Sequence, residues 1–145
     1  MYSMWSLGQK SVRSVVVMST MVSSILGRTN AEILAWESYV LSSPLATGYH
    51  QSGWRRVIEE AFGHPTHYLV VHGQDGALQG VLPLVLLASR GFGRFLVSLP
   101  FVNYGGVVAS SAEAHRYLEA RAVEQARELN VDHIELRHQA LMDTA

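Results

Sequence analysis

The residues from 89 to 111 (SRGFGRFLVSLPFVNYGGVVASS) constrain the fold more than any other stretch of the chain. An apolar run at 95–99 is followed by Pro100, and a second apolar run at 107–109 follows the turn at 103–106. Proline cannot donate to a β-ladder, and paired glycines allow positive φ or a close approach of the backbone. The stretch therefore predicts a buried strand, a specially shaped turn and the start of a helix.

Two interpretations of this turn remain open from the local pattern. Asn103 and Tyr104 precede Gly105 and Gly106, so two polar side chains lie between a buried strand and a helix. Loops in this position often carry the chemistry of α/β proteins, because a rigid scaffold holds them. Glycine-rich turns are also common as plain connections.

The composition indicates one folded domain and excludes several classes of function. Of 145 residues, 48% are apolar and 16% are charged, so the chain can bury a core and is not of the disordered class. The net charge of -1 and the lack of a basic block give no support to nucleic-acid binding. Without cysteine there is no disulfide, thiolate metal site or cysteine nucleophile, which fits a cytoplasmic protein.

The first 28 residues have the weakest pattern. Lys10 and Arg13 precede an apolar run at 15–26 that serines and a threonine interrupt. This run is too short and too polar for a membrane span, and it lacks a clear cleavage site for a secretory signal. We predict a strand at 14–18, or an extended start with Met18 or Met21 as the initiator. Residues 1–28 are thus an N-terminal extension or first strand, and residues 29–145 form the main unit.

Two helices are predicted next. Thr29 and Glu32 have the spacing of a capping box, and Ile33, Trp36 and Val40 share one face of a helix that ends near residue 41. A second helix is predicted over residues 50–62. Its apolar positions are Trp54, Val57, Ile58, Ala61 and Phe62, and its solvent-facing positions are Arg55, Arg56, Glu59 and Glu60.

The remaining pattern predicts a β-meander, a third helix and a last strand. Residues 68–72 and 77–88 form a hairpin, whose apolar second arm is covered on both faces and contains a bulge or local edge at Gly80 and Pro83. A third helix runs from a capping box of Ser110 and Glu113 to residue 129. Strict alternation at 131–138 predicts a strand. The fold class is therefore α/β with a mixed sheet flanked by helices.

Several polar residues are candidates for a site. His50 and Trp54 lie one helical turn apart, so they could line a substrate groove or pack structurally. Arg137 could bind a substrate carboxylate or phosphate, or pair with Glu135. His64 and His67 have the spacing of a metal pair, but no third ligand is placed, so no metal site is predicted. Ser98 lacks the Gly-x-Ser-x-Gly context of a serine hydrolase.

A set of phrases between residues 36 and 137 resembles the FemAB-like acyltransferases, in particular the branch associated with exosortase and PEP-CTERM sorting systems. The phrases are PLATGYH at 44–50 with Trp54, GVLPL at 80–84, Phe92-Gly93, LVSLPF at 96–101, NYGG at 103–106 and ELR at 135–137. The resemblance implies a GNAT-like fold, of which this chain matches the first five strands and three helices. It implies that the fold is incomplete at the C-terminus, with a second GNAT-like lobe absent from this chain.

The resemblance also implies a function. Such proteins transfer acyl or aminoacyl groups to amines, commonly on cell-envelope precursors. Tyr104 is then the general-acid candidate, since the leaving group needs a proton donor, and Asn103, Gly105, Gly106, His50, Trp54 and Arg137 are substrate-binding candidates.

The acyl donor and the level of activity stay open. The donor is an acyl-CoA or an aminoacyl compound, but residues 103–108 depart from the Arg/Gln-x-x-Gly-x-Gly/Ala loop with which GNAT enzymes hold coenzyme A. The isolated chain is expected to be inactive. The alternative is a non-catalytic binding or scaffold fragment of such a protein.

Overall fold

The computed structural model describes residues 2–6, 21–100 and 105–137. Within these ranges the chain forms eight strands, three α-helices and one short 3-10 helix. The strands are β1 (Tyr2–Ser6), β2 (Val22–Ile25), β3 (Leu69–His72), β4 (Leu78–Leu82), β5 (Leu84–Ser89), β6 (Gly93–Ser98), β7 (Val108–Ala109) and β8 (His133–Arg137). The helices are α1 (Asn30–Ser42), α2 (Gly53–Glu60) and α3 (Ala112–Glu128), and the 3-10 helix spans Gly48–His50.

The strands form two four-stranded sheets, in the orders β1-β8-β6-β5 and β2-β3-β4-β7. β6 and β8 are parallel, and every other pair is antiparallel. A parallel pair needs a crossover connection, which β7 and α3 supply here. The α/β class with mixed strand directions is confirmed, but the single predicted sheet is wrong.

Pro83 is the physical reason for the two sheets. The predicted second hairpin arm at 77–88 divides at this residue into β4 and β5, because proline has no N–H for the ladder and bends the chain. Hydrogen bonds still join the sheets: the His67 N–H donates to the Leu84 carbonyl and the Leu86 N–H to the Pro65 carbonyl. The register shift at Val71, opposite Gly80, is the predicted bulge.

Helices cover both faces of the sheets, as the apolar second arm predicts. Leu69, Val71, Leu82 and Leu84 pack against the apolar stripe of α3, whereas Val70, Val81 and Val85 pack with residues of α1 and α2. On the α1 and α2 side, the ring of Trp36 stacks on that of Tyr68 with centroids 5.1 Å apart, and both side chains are fully buried. This two-sided burial is what fixes the loops at the ends of the strands.

α1 forms as predicted. The Oγ1 of Thr29 accepts from the Glu32 N–H, and the Glu32 carboxylate accepts from the Thr29 N–H, which completes the capping box. Trp36 and Val40 are buried on the inner face.

The helix predicted over 50–62 forms, but it is shorter and spans only Gly53–Glu60. The chain forms the 3-10 turn first and begins α2 only at Gly53, so that a bend at Gln51 and Ser52 separates His50 from Trp54. The predicted faces are also partly wrong. Val57 and Phe62 are substantially exposed, whereas Arg55 is buried among backbone carbonyls.

α3 and β8 follow the predicted pattern with one correction. The N-cap is Ser111, whose Oγ accepts from the Ala114 N–H, and not Ser110. Ser110 instead hydrogen-bonds to the Tyr39 hydroxyl. Asn130 takes a left-handed conformation (φ 52) just past the helix, which suits a C-terminal cap. Ile134 and Leu136 are buried, and His133, Glu135 and Arg137 alternate with them.

Two strands fall within residues 2–6 and 21–28, the part of the N-terminal extension that the structure describes. β1 pairs with β8, and β2 pairs with β3. The strand predicted at 14–18 lies outside the described residues. None of the helices in the described part of the chain is long and apolar enough to cross a membrane.

Candidate functional site

The site is a seam between two segments, residues 43–50 after α1 and residues 105–110 around β7. Besides its ladder with β4, the second segment is held by hydrogen bonds that include three to residues distant in sequence. The Nε2 of His50 lies 2.8 Å from the Gly106 carbonyl, the Gly105 N–H donates to the Arg137 carbonyl at 3.2 Å, and the Tyr39 hydroxyl lies 2.8 Å from the Ser110 hydroxyl. The seam thus brings together parts of α1, β7 and β8 that are distant in sequence.

His50 is held as a neutral imidazole. The Gly106 carbonyl can only accept, so Nε2 carries the proton, and Nδ1 accepts from the Thr47 N–H at 3.1 Å. Its own carbonyl accepts from the Trp36 indole at 2.6 Å, and the residue is 3% exposed. Burial lowers the pKa of His50, outweighing the hydrogen bonds to Gly106 and Thr47. With both ring nitrogens engaged, His50 positions the Gly106 backbone rather than abstracting a proton.

Leu99 shows that the backbone is strained where the seam meets β6. Its φ is 42°, in the left-handed region, which costs a residue with a Cβ about 1–2 kcal/mol. Pro100 follows directly, and a residue before proline normally stays extended. Such strain persists only where the surroundings enforce it, and here Leu99 is buried against Gly105. The strained residue lies at the point where the chain leaves β6.

A cleft of about 300 Å³ opens along the seam. Its walls are the end of α1, the following turn and the exit from β7, and they include the hydroxyl groups of Tyr39, Ser42, Ser43 and Ser110. Pro44, Leu45 and Ala109 supply apolar surface. A few polar groups on an otherwise apolar concave surface are typical of sites for small ligands.

The structure places the predicted site residues as follows. His50, Gly105, Gly106 and Arg137 meet in the hydrogen bonds of the seam. Trp54 instead packs on Tyr49, with ring centroids 5.5 Å apart. Asn103 and Tyr104 lie outside the described residues, immediately before Gly105.

The sequence allowed two roles for Arg137, which were binding of substrate and pairing with Glu135. Their side chains form the ion pair that the sequence allowed, with the Arg137 Nε 2.7 Å from the Glu135 Oε1. The structure shows a further role for the backbone of Arg137. Its carbonyl accepts from the Gly105 N–H, and its N–H donates to the Ser98 Oγ at 2.7 Å.

Sequence reasoning missed Tyr39, the structural role of Ser98, and Arg55. Tyr39 lies beside the buried Val40 on α1, and only tertiary contact shows that its hydroxyl reaches the Gln79 carbonyl and Ser110. Ser98 is fully buried and accepts from β8, so it is not an accessible nucleophile. A serine at the end of an apolar strand is the one signal that could have suggested a buried hydrogen bond.

The residues of the seam do not fit the pyrophosphate of coenzyme A. In a phosphate-binding loop the backbone N–H groups point at the anion. Here the Gly105 N–H is used by the Arg137 carbonyl and the Ser110 N–H by the Gln79 carbonyl. In the described ranges, no group of three or more His, Asp or Glu side chains is arranged to hold a metal ion.

Comparison of the chain with models of known protein families and with curated proteins gives no match.

The burial of His50 predicts a loss of stability in mild acid. Because its pKa is lowered in the folded state, its contribution is complete above the unfolded value near 6.5 and is lost as the pH falls toward the folded value. Each pH unit in that window lowers the free energy of unfolding by at most about 1.4 kcal/mol. The measurement is urea unfolding at pH 7.5 and at about pH 5.5.

The matched variant is His50→Gln, whose amide can still donate to the Gly106 carbonyl but does not titrate. Burial also lowers the pKa of His67, which adds pH dependence of the same sign to both proteins. The difference between wild type and variant isolates His50. Equal pH dependence in the two proteins would show that His50 is not the titrating group.

Proposed function

We propose that this chain is the N-terminal lobe of a GNAT-fold, FemAB-like N-acyltransferase that moves an acyl or aminoacyl group onto an amine. The observation that supports this is the convergence of His50, Gly105, Gly106 and Arg137, which come from three of the phrases that carry the resemblance. Residues that are scattered over 88 positions of the sequence, from 50 to 137, meet at one hydrogen-bonded seam. The α/β order of elements is compatible with this class.

The proposed reaction is direct attack by the amine on the acyl carbon. The C–N bond forms, the bond from the acyl carbon to the leaving group breaks, and the amine loses a proton to solvent. The Tyr104 hydroxyl gives its proton to the leaving group and is then reprotonated from solvent. His50 and Arg137 hold the backbone of Gly106 and Gly105, the residues that follow Tyr104 in the sequence.

The substrates follow from the same reasoning. The acceptor is an amine on a cell-envelope precursor or on a component of an exopolysaccharide or protein-sorting system, and the protein is expected to act in the cytoplasm. Because the seam does not fit a coenzyme A pyrophosphate, the donor is assigned to a second lobe.

The test is acyl transfer in vitro, read by mass spectrometry of the amine product with acyl-CoA and aminoacyl donors. The chain alone should give no turnover, whereas a polypeptide in which a second GNAT-like lobe follows residue 145 should. In that protein Tyr104→Phe should lower kcat by about 100-fold, the loss expected for a general acid. Tyr117→Phe is the matched control, because Tyr117 lies on α3, outside the seam. Turnover by the single lobe at the full rate would contradict the two-lobe proposal.

A non-catalytic binding module is the second candidate, and one observation favours it. β2 lies at the edge of its sheet and exposes Val22 and Ile25. An apolar edge strand is a template for pairing with another chain. Sedimentation distinguishes the candidates, since a monomer at all concentrations argues against a fragment that pairs through this edge.

A further inference from the structure

A second cavity, of about 350 Å³, runs along α2 and shares no lining residue with the cleft at the seam. Its walls come from α2, from the connection between β2 and α1, and from Ile33 of α1. The phrases that carry the resemblance contribute none of its charged groups. The cavity is at the small end of the range for ligand sites.

Arg55 in the wall of this cavity is 8% exposed, which is rare for an arginine. Its Nε donates to the Thr66 Oγ1 at 3.2 Å, and its two Nη atoms donate to the Gly27 and Leu26 carbonyls at 2.7 and 2.9 Å. A guanidinium has five N–H groups. Two donors of Arg55 therefore remain without an acceptor among the described residues.

The charges in the cavity leave Arg55 without a carboxylate of its own. Arg28 binds both oxygens of Glu59, and Arg56 binds both oxygens of Glu60. The Arg55 Nε is 3.7 Å from the Glu59 Oε1, an oxygen that also accepts from Thr66.

The Glu32 carboxylate raises the pKa of Arg55, but it already accepts hydrogen bonds from the N–H and the hydroxyl of Thr29. Burial and then the nearby Arg28 lower the pKa of Arg55 more than Glu59, Tyr68 and Glu32 raise it. A buried charge in this situation is stabilised by an additional anion.

The surroundings favour a single negative charge with a small apolar body. Three arginines and two glutamates line the cavity, so one negative charge neutralises it and a dianionic phosphate would leave an excess of negative charge. Leu26 and Ile33 give the cavity an apolar wall. A carboxylate also matches the planar geometry in which a guanidinium donates two N–H groups.

We propose that this cavity binds the carboxylate of a small monocarboxylic acid through Arg55. The site is separate from the seam and does not depend on the proposed acyl transfer.

Gly53 allows a test that leaves Arg55 in place. Gly53 lines the cavity, and a Cβ at this position would have no atom within 4 Å. Gly53→Glu places a competing carboxylate there, and Gly53→Gln is a control of the same shape without charge. Neither substitution removes Arg55 or one of its acceptors, and circular dichroism checks that both variants are folded.

The probe is butyrate, measured by calorimetry on the full chain, with the neutral butyramide as its matched ligand. Butyrate should bind with a millimolar dissociation constant, and butyramide at least about 10-fold more weakly. Gly53→Gln should keep the butyrate affinity within about 2-fold, and Gly53→Glu should weaken it about 10-fold or more. Equal binding of butyrate and butyramide, or equal affinities of the two variants, overturns the proposal. Tighter binding of inorganic phosphate than of butyrate overturns the assignment to a monocarboxylate.

Discussion

Replacing Arg55 with methionine should lower the free energy of unfolding by about 3–5 kcal/mol, because three acceptors lose their charged donor. The side chain links α2 to the Leu26 and Gly27 carbonyls and to Thr66, and its guanidinium lies over the Tyr68 ring at 5.7 Å. Methionine fills similar space but leaves these acceptors without their donor, and each lost bond of a charged donor is worth about 1.5–3 kcal/mol. Urea unfolding monitored by circular dichroism measures the change.

Arg56→Met is the control for this prediction. The two arginines are adjacent on α2, but the Arg56 side chain is 79% exposed and, within the described residues, pairs with Glu60. An exposed pair of this kind contributes about 0–1 kcal/mol. Similar losses in the two variants would mean that Arg55 does not act through its buried contacts.

Replacing Gly105 with alanine should lower the free energy of unfolding by about 2–3 kcal/mol, as other overpacked cores do. The new Cβ would lie 2.5 Å from the Leu99 Cβ and 2.8 Å from its Cδ1. Leu99 cannot yield easily, because the contact is close to its backbone, which is already in a strained conformation. The turn must shift, and with it the hydrogen bond to the Arg137 carbonyl.

The same substitution at Gly53 serves as the comparison. Gly53 is in the first turn of α2 with open space around its Cβ, so alanine there should be neutral or should stabilise by up to about 1 kcal/mol. Thermal unfolding of both variants provides the measurement. If Gly105→Ala were as stable as Gly53→Ala, the close packing of Gly105 on Leu99 would not matter to the fold.

The Gly105 variant also bears on the proposed chemistry. In a two-lobe protein it should lower kcat more than a destabilisation of the same size placed elsewhere, because Gly105 directly follows Tyr104. Proximity effects in catalysis are lost with small displacements. Unchanged kcat in a folded Gly105→Ala protein would argue that this turn does not hold a catalytic group.

The sequence determined the elements whose cause is local. The capping box at Thr29, the alternation of Ile134 and Leu136, the stripe on α3 and the burial of 81–85 all arise from neighbouring residues, so their periodicity predicts them correctly. Through the resemblance the sequence also predicted a larger set of site residues, of which His50, Gly105, Gly106 and Arg137 take part in the hydrogen bonds of the seam and Trp54 does not.

Only the tertiary structure decided how these elements are used. Pro83 divides an apparently continuous strand between two sheets. Proline has no N–H to donate, and this matters only where a neighbouring strand would accept that hydrogen bond, which the local sequence does not show. Arg55 lies on the charged side of the predicted helix, yet its side chain is buried. It donates to the carbonyls of Gly27 and Leu26, which lie 28 and 29 positions earlier in the chain. His50 changes from a candidate ligand of substrate to a bridge to Gly106, because hydrogen bonds between residues 56 positions apart leave no local trace in the sequence.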